Sequence, residues 1–216
     1  MKITLNGDQR VFFTSDTHIN HKNICRGTTE WAYSSEFRTR DFQNLEAMNS
    51  AIIDNINARV GQDDILFHLG DFSFGGHQNI PGFRQRIVCQ NVHLIYGNHD
   101  EHIQKNTNDY QSLFSSVQHY LELEIVRSVH NILGGTRRYN FVLSHFPIAS
   151  WNNIRKNWMH LHGHVHLEKD KKFGPGKMMD VGVDGNDMMP YDLSEIIYLL
   201  KDRPNKSLMS FDHHAD

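Results

Sequence analysis

Short apolar runs recur along the chain, and each stops at a glycine or a polar residue. Lys2–Leu5 and Val11–Ser15 read as two strands around an Asn6-Gly7-Asp8 turn. Ile65–Leu69, Val92–Tyr96 (interrupted by His93), Asn140–Ser144, Trp158–Leu161 and Met179–Val183 have the length and apolar content of buried strands. Leu121, Leu123 and Ile125 alternate with Glu122 and Glu124, the pattern of a half-buried strand. Two stretches keep helical spacing instead. Leu45, Met48, Ile52 and Ile56 mark one face of a helix that Asp41 can cap and Gly61 ends. Ile196, Ile197, Leu199 and Leu200 follow a cap at Asp192 or Ser194.

The segments between are expected to be irregular. Residues 19–40 form a loop carrying Asn20, His21, Trp31 and Tyr33. Phe72–Gly82 is a Gly-rich loop before a weak helical turn at Arg84–Val88, and 101–119 hold loops and a short helix. Gly134-Gly135 marks a turn, and Lys169–Lys177 a solvated loop. Strands alternating with helices imply an α/β fold. A chain of 216 residues suits one domain, expected over 1–203 with a polar tail at 204–216.

What stands at the strand ends changes the picture. Five runs deliver Asp16 with His18, Asp71, Asn98 with His99, His145, and His164 with His166. Open α/β sheets bind ligands at the carboxyl ends of their strands. Two divalent metals about 3.5–4 Å apart need N and O ligands from several directions. Four histidines, two aspartates and an asparagine oxygen meet that need, leaving His99 over. Two dications outweigh two carboxylates and one bridging hydroxide, so the remainder favours an anionic substrate. Taken singly, Asp16 and Asp71 also suit helix caps, His145 a core imidazole, and His164 with His166 a continuing strand. Five ordered strand ends together argue for a shared centre.

Composition narrows the class further. The formal charge of -3 and pI near 6.6 leave no global basic field for non-specific nucleic-acid binding. Cys25 and Cys89 have no CxxC spacing, and neither a signal-peptide core nor a membrane-length apolar run is present. A cytoplasmic protein with no membrane partner is expected. The 16 histidines are the outlier. His77, His102, His119, His130, His213 and His214 have solvated contexts, and His68 reads as a buried, satisfied imidazole. His160 and His162 alternate with Leu161, His162 being either a partner to a ligand or a packing residue.

The ordered series Asp16-x-His18, Gly70-Asp71, Gly97-Asn98-His99-Asp100, His145 and Gly163-His164-x-His166 resembles the calcineurin-like metallophosphoesterase superfamily. The resemblance implies a two-sheet mixed β-sandwich flanked by helices. It implies that Asp16, His18 and His166 hold one metal, that Asn98, His145 and His164 hold the other, and that Asp71 bridges. His99 would protonate the leaving oxygen, oriented by Asp100, while a bridging hydroxide attacks phosphorus. Mn²⁺ heads the metals this ligation suits, with Fe, Zn²⁺, Ni²⁺ and Co²⁺ behind it. Asn20 and His21 lie where a side chain could reach a substrate phosphate. Arg155 and Lys156, after His145, suit either a second phosphate or a solvated loop face. The expected function is a phosphodiesterase of nucleotide-like or other small phosphoesters. A nuclease, a phosphomonoesterase and, last, a non-catalytic scaffold are the alternatives; oligomeric state is open.

Overall fold

A computed structural model describes residues 1–31, 39–74, 76–105, 109–128, 135–206 and 208. Tyr33, His130, Gly134, His213, His214 and most of the expected tail lie outside the described residues. The strands are β1 (Lys2–Leu5), β2 (Val11–Thr14), β3 (Ile65–His68), β4 (Asn91–Ile95), β5 (Ser116–Gln118), β6 (Tyr120–Ser128), β7 (Thr136–Ser144), β8 (Met159–His162), β9 (Met178–Asp180) and β10 (Tyr191–Asp192). The helices are α1 (Leu45–Arg59), α2 (Asn79–Arg86), α3 (Glu101–Lys105) and α4 (Leu193–Leu200).

Two mixed sheets of five strands form the α/β metallophosphoesterase fold expected above. One runs β1-β6-β7-β8-β9 and the other β10-β2-β3-β4-β5. β2 to β5 are parallel neighbours, as are β7, β8 and β9, while β6 with β7 and β10 with β2 are antiparallel. The inner faces of both sheets share one apolar core, in which Phe13 and Phe67 meet Leu123, Phe141 and Leu161. A second core lies over the other face of the β2–β5 sheet, where Met48, Ile52 and Ile56 of α1 and Phe83 of α2 pack. Burial on both faces explains why Phe12, Phe13 and Ile65–Phe67 run apolar without alternation. Glu122 and Glu124 of β6 alternate with buried Leu121, Leu123 and Ile125 because that sheet is covered on one face there.

Several expected boundaries shift for local reasons. Asn44, not Asp41, caps α1, its side chain accepting from the Ala47 N–H at 2.8 Å, while Asp41 pairs with Arg26. α2 begins inside the expected loop; Pro81 sits in its first turn, where a missing N–H costs nothing. β5 and β10 are too short to carry a period, and β5 was expected as loop or helix. Asp192 does cap α4, and with Glu195 it closes a capping box.

Phe141 links the sheets, its ring centroid 5.3 Å from that of Phe13. Phe141→Ala should cost about 3–5 kcal/mol in chemical denaturation. Tyr198→Ala, at a side chain 69% exposed, should shift the midpoint far less. Equal shifts would place the core elsewhere.

Candidate metal centre

The carboxyl ends of β2, β3, β4, β7 and β8 converge. His18 Nε2 lies 3.1 Å from His166 Nε2, and 3.9 and 3.5 Å from carboxylate oxygens of Asp16 and Asp71. His145 Nε2 lies 3.5 Å from the same Asp71 oxygen and 3.1 Å from Asn98 Oδ1, which is 3.0 Å from His164 Nδ1. Asp16, His18 and His166 can hold one ion, and Asp71, His145 and His164 another, each group offering atoms within 4.8 Å of one another. Asp71 Oδ2 faces the histidines of both groups. All seven side chains expected to ligate metal are therefore neighbours. An imidazole, carboxylate and amide-oxygen set fits borderline divalent cations.

The approach is made possible by glycines. A Cβ on Gly163 would stand 2.0 Å from Ser15 Oγ and 2.4 Å from an Asp16 oxygen; one on Gly97 would stand 2.2 Å from Asp71 Oδ1. Backbone bonds then stitch the tips together: Asp16 N–H to Gly70, His18 N–H to Asp71, and Gly163 N–H to His145. Five of the seven, Asp16, His18, Asp71, His164 and His166, have φ between +48° and +72°. Asp and His tolerate this left-handed region better than most residues. Each such residue nonetheless costs of the order of 1–3 kcal/mol and persists where surroundings over-determine it, typically at functional sites.

Without cations the charges are in tension. Burial pushes the Asp16 carboxyl up to about 7, against the pull of His166 and His145. Burial, with His166 beside it, holds His18 well below the usual imidazole range, so it is neutral with a lone pair to offer. Burial would raise Asp71 too, but contact with His145 and the nearby His18 hold it low. For His145, burial acts downward and is outweighed by Asp71 and Asp16.

Two supporting residues have no counterpart in the expectations. His166 Nδ1 meets Asp184 Oδ2 at 2.7 Å. Arg40, buried, donates Nε and Nη2 to both Asp184 oxygens at 2.8 Å, and also bonds the Thr17 and Asp16 carbonyls at 2.8 and 2.6 Å. Burial alone would raise the Asp184 carboxyl, but the Arg40 charge beside it keeps it well below its ordinary range. Asp184 ends another apolar run, so the strand-end rule could have found it; Arg40 carries no local signal.

The other expected site residues are placed as follows. His99 is exposed, its N–H donating to Asp71 Oδ1 at 2.9 Å and its ring 5.6 Å from that of His18. Asp100 directs its carboxylate at backbone, not at an imidazole: it accepts the N–H groups of Asp71, Gly97 and Phe72 at 2.8, 2.8 and 3.0 Å. Burial pushes its carboxyl up, and these bonds restrain the shift. Asn20 donates its backbone N–H to Asn49 Oδ1 of α1 and accepts from Asn49 Nδ2 at its own Oδ1. His21 Nδ1 caps the turn Lys22–Ile24, its ring against Phe74. Arg155 is exposed in the turn Ile154–Lys156, where its carbonyl meets Asn205. His68 bonds Thr17 Oγ1 through Nε2, but its buried Nδ1 has no partner among the described residues. His160 is held by Val142 and Ile148 backbone, and His162 by the Gly163 carbonyl.

Strand tips of two sheets present two groups of residues able to hold metal ions, the equipment of a metal-dependent hydrolase. The chain belongs to the calcineurin-like phosphoesterase family, whose model matches residues 9–202. It is 26% identical to an uncharacterized protein, MJ1445, of Methanocaldococcus jannaschii, over 89% of this chain and 92% of that one. It is 28% identical to the gene 66 protein of Mycobacterium phage D29, over 84% of this chain and 92% of that one. The fold matches that of AQ665, a protein of unknown function from Aquifex aeolicus, with a TM-score of 0.57 and 21% identity. That match covers 89% of this chain and all of the other. No described helix is long and apolar enough to cross a membrane.

Asp100→Asn puts an amide donor against backbone N–H donors. It should lower stability by about 1–3 kcal/mol, the cost of leaving a buried donor unpaired. Denaturant unfolding at unchanged midpoint would show that the two loops hold without the carboxylate.

Proposed function

We propose that this metal-dependent phosphoesterase is a two-metal phosphodiesterase acting on nucleotide-like or other small phosphoesters. The observation that carries the reading is the placement of Asp71 Oδ2 at 3.5 Å from both His18 and His145, between two groups able to ligate. In this reading Asp16, His18 and His166 hold one ion, Asn98, His145 and His164 the other, and Asp71 is shared. Two bound dications would supply a water-derived nucleophile at neutral pH and neutralise charge on the phosphoryl oxygens. The chain's own part is to fix those ions and to present a proton. His99 does the latter: its N–H bond to Asp71 keeps it beside the centre while its ring stays exposed to a leaving oxygen. Asp100 holds the Gly70–Phe72 and Gly97 backbones in register rather than turning His99. Mn²⁺ is the first ion to try, and the cytoplasm the expected compartment.

Hydrolysis of bis-p-nitrophenyl phosphate by protein supplied with Mn²⁺ tests the reading. Turnover of this diester above p-nitrophenyl phosphate supports it; the reverse order makes the chain a phosphomonoesterase. Inertness on both revives a scaffold, and activity on nucleic acid that falls steeply with salt favours a nuclease. Asp71→Asn should reduce metal content per chain, read by elemental analysis after desalting; full content would remove it from the shared position.

His99→Ala should keep its metal and lose rate by about 10²–10⁴-fold for poor leaving groups, since that is what a general acid contributes. Loss should be smaller for p-nitrophenolate, which leaves without a proton. Equal losses across a leaving-group series would take the acid role away from His99.

A further inference from the structure

Burying a charge without a partner is costly, so each buried cation of a fold shows where its partner lies. Among the described residues four cations are buried: Arg40, Arg84, Lys172 and Lys177. Arg40 binds Asp184 and two carbonyls. Arg84 donates to the carbonyls of Leu113, Ile87 and Cys89, and Lys177 to those of Leu200 and Lys201 at the end of α4. Lys172, 6% exposed, is the exception. Among the described residues its Nζ makes one hydrogen bond, at 3.2 Å to the Tyr191 hydroxyl, which itself donates to the Gly185 carbonyl.

None of the described residues around Lys172 supplies the missing charge. The rings of Tyr191 and Phe173, with centroids 5.0 and 5.7 Å from Nζ, attract a cation but carry no countercharge. Burial raises the Tyr191 phenol, which therefore stays protonated. Asp187 and Glu195 are near enough to act on the ammonium, and both are held by other partners. Asp187 pairs with Lys169 at 2.8 Å; Glu195 pairs with Arg59 at 2.6 Å and accepts the Asp192 N–H at 2.7 Å. Burial accordingly draws the Lys172 ammonium below its ordinary range, and Lys169 adds to the effect.

Lys172 lines a recess of about 420 Å³, together with Asn186, Tyr191 and, from α4, Ser194, Glu195 and Tyr198. That volume is in the range of small-molecule sites. Other polar groups there are already engaged: Ser194 gives its hydroxyl to Asp192, and Asn186 its amide to the Met189 carbonyl. One unmatched ammonium suits one negative charge, whereas a doubly charged phosphate would also face the Glu195 carboxylate. We propose that this recess binds the carboxylate of a small organic acid, with Lys172 as its countercharge. The proposal does not depend on the reading of the metal centre.

The test compares benzoate with benzamide, its uncharged isostere, by calorimetry on Mn²⁺-loaded protein and again after chelation. Benzoate should bind more tightly by about 10- to 150-fold, the range of one charge-assisted hydrogen bond. The ratio should be the same in both preparations, because the ions take no part. Lys172→Met should bring the ratio towards one. Lys172→Arg, which keeps the charge, should retain the preference for benzoate, so the assignment stays testable if the methionine variant misfolds. Equal affinities in the wild type, a preference that vanishes on chelation, or one unmoved by Lys172→Met would overturn the proposal. Inorganic phosphate binding more tightly than benzoate to the wild type, but not to Lys172→Met, would overturn the assignment of a carboxylate.

Discussion

The structure depends on one close approach, that of Gly163 at the end of β8 to Ser15 and Asp16 at the end of β2. No side chain fits between them. Gly97 and Asp71 repeat the arrangement one strand pair away. The Gly163 contact joins the tips of two sheets whose bodies are held apart by a core of aromatic and branched side chains, and the Gly97 contact joins neighbouring strands of one of them. The sandwich therefore pinches where its polar residues are. A substituted glycine at either place would push the ligands apart before it disturbed the core, because the clash falls on carboxylate oxygens and backbone.

Such a pinch gathers groups that repel or dehydrate one another. Two buried side chains in each group, Asp16 with His18 and Asp71 with His145, would be a poor way to fill a core, since desolvated carboxylates and facing imidazole nitrogens each raise the energy. The protein offsets this with two fixed braces. Arg40 binds the carbonyls of Asp16 and Thr17 and locks Asp184, which in turn fixes His166. Asp100 gathers three N–H groups from the Gly97 turn and from Asp71 and Phe72. One brace is a buried cation at the Asp16–His166 end, the other a buried anion at the Asp71 end. Both act on backbone, and that is what keeps left-handed residues such as His18 and Asp71 in place.

How much of this was legible follows from the range of each signal. The main strands of both sheets could be read because burial imposes an apolar run whatever their partners, and the candidate ligands could be singled out because they sit where those runs stop. The two-sheet arrangement came from the resemblance, not from periodicity, which cannot tell which strands pair. β5 and β10 were missed since a three-residue and a two-residue strand carry no period. Adjacency suggests Asp100 as a partner of His99, whereas it accepts the N–H groups of Gly97 and of Asp71 and Phe72, the last two 29 and 28 residues away. Arg40 and Asp184 lie 144 residues apart, so only folding brings them together. Local composition reports what a residue is near in sequence; a brace is defined by what it is far from.

The centre is also lopsided. Asp16, His18, Asp71 and His145 are buried, while Asn98, His99 and His164 are exposed. Buried donors cannot rearrange without dragging β-strand backbone with them, so this half sets where charge can sit. The exposed half can yield to an incoming group at little cost, because water already competes for its hydrogen bonds. The open side of the centre is accordingly that of Asn98, His99 and His164, with the buried carboxylates behind it. A cleft opens at His166, on the flank where Val165 rather than a charged residue separates His164 from His166.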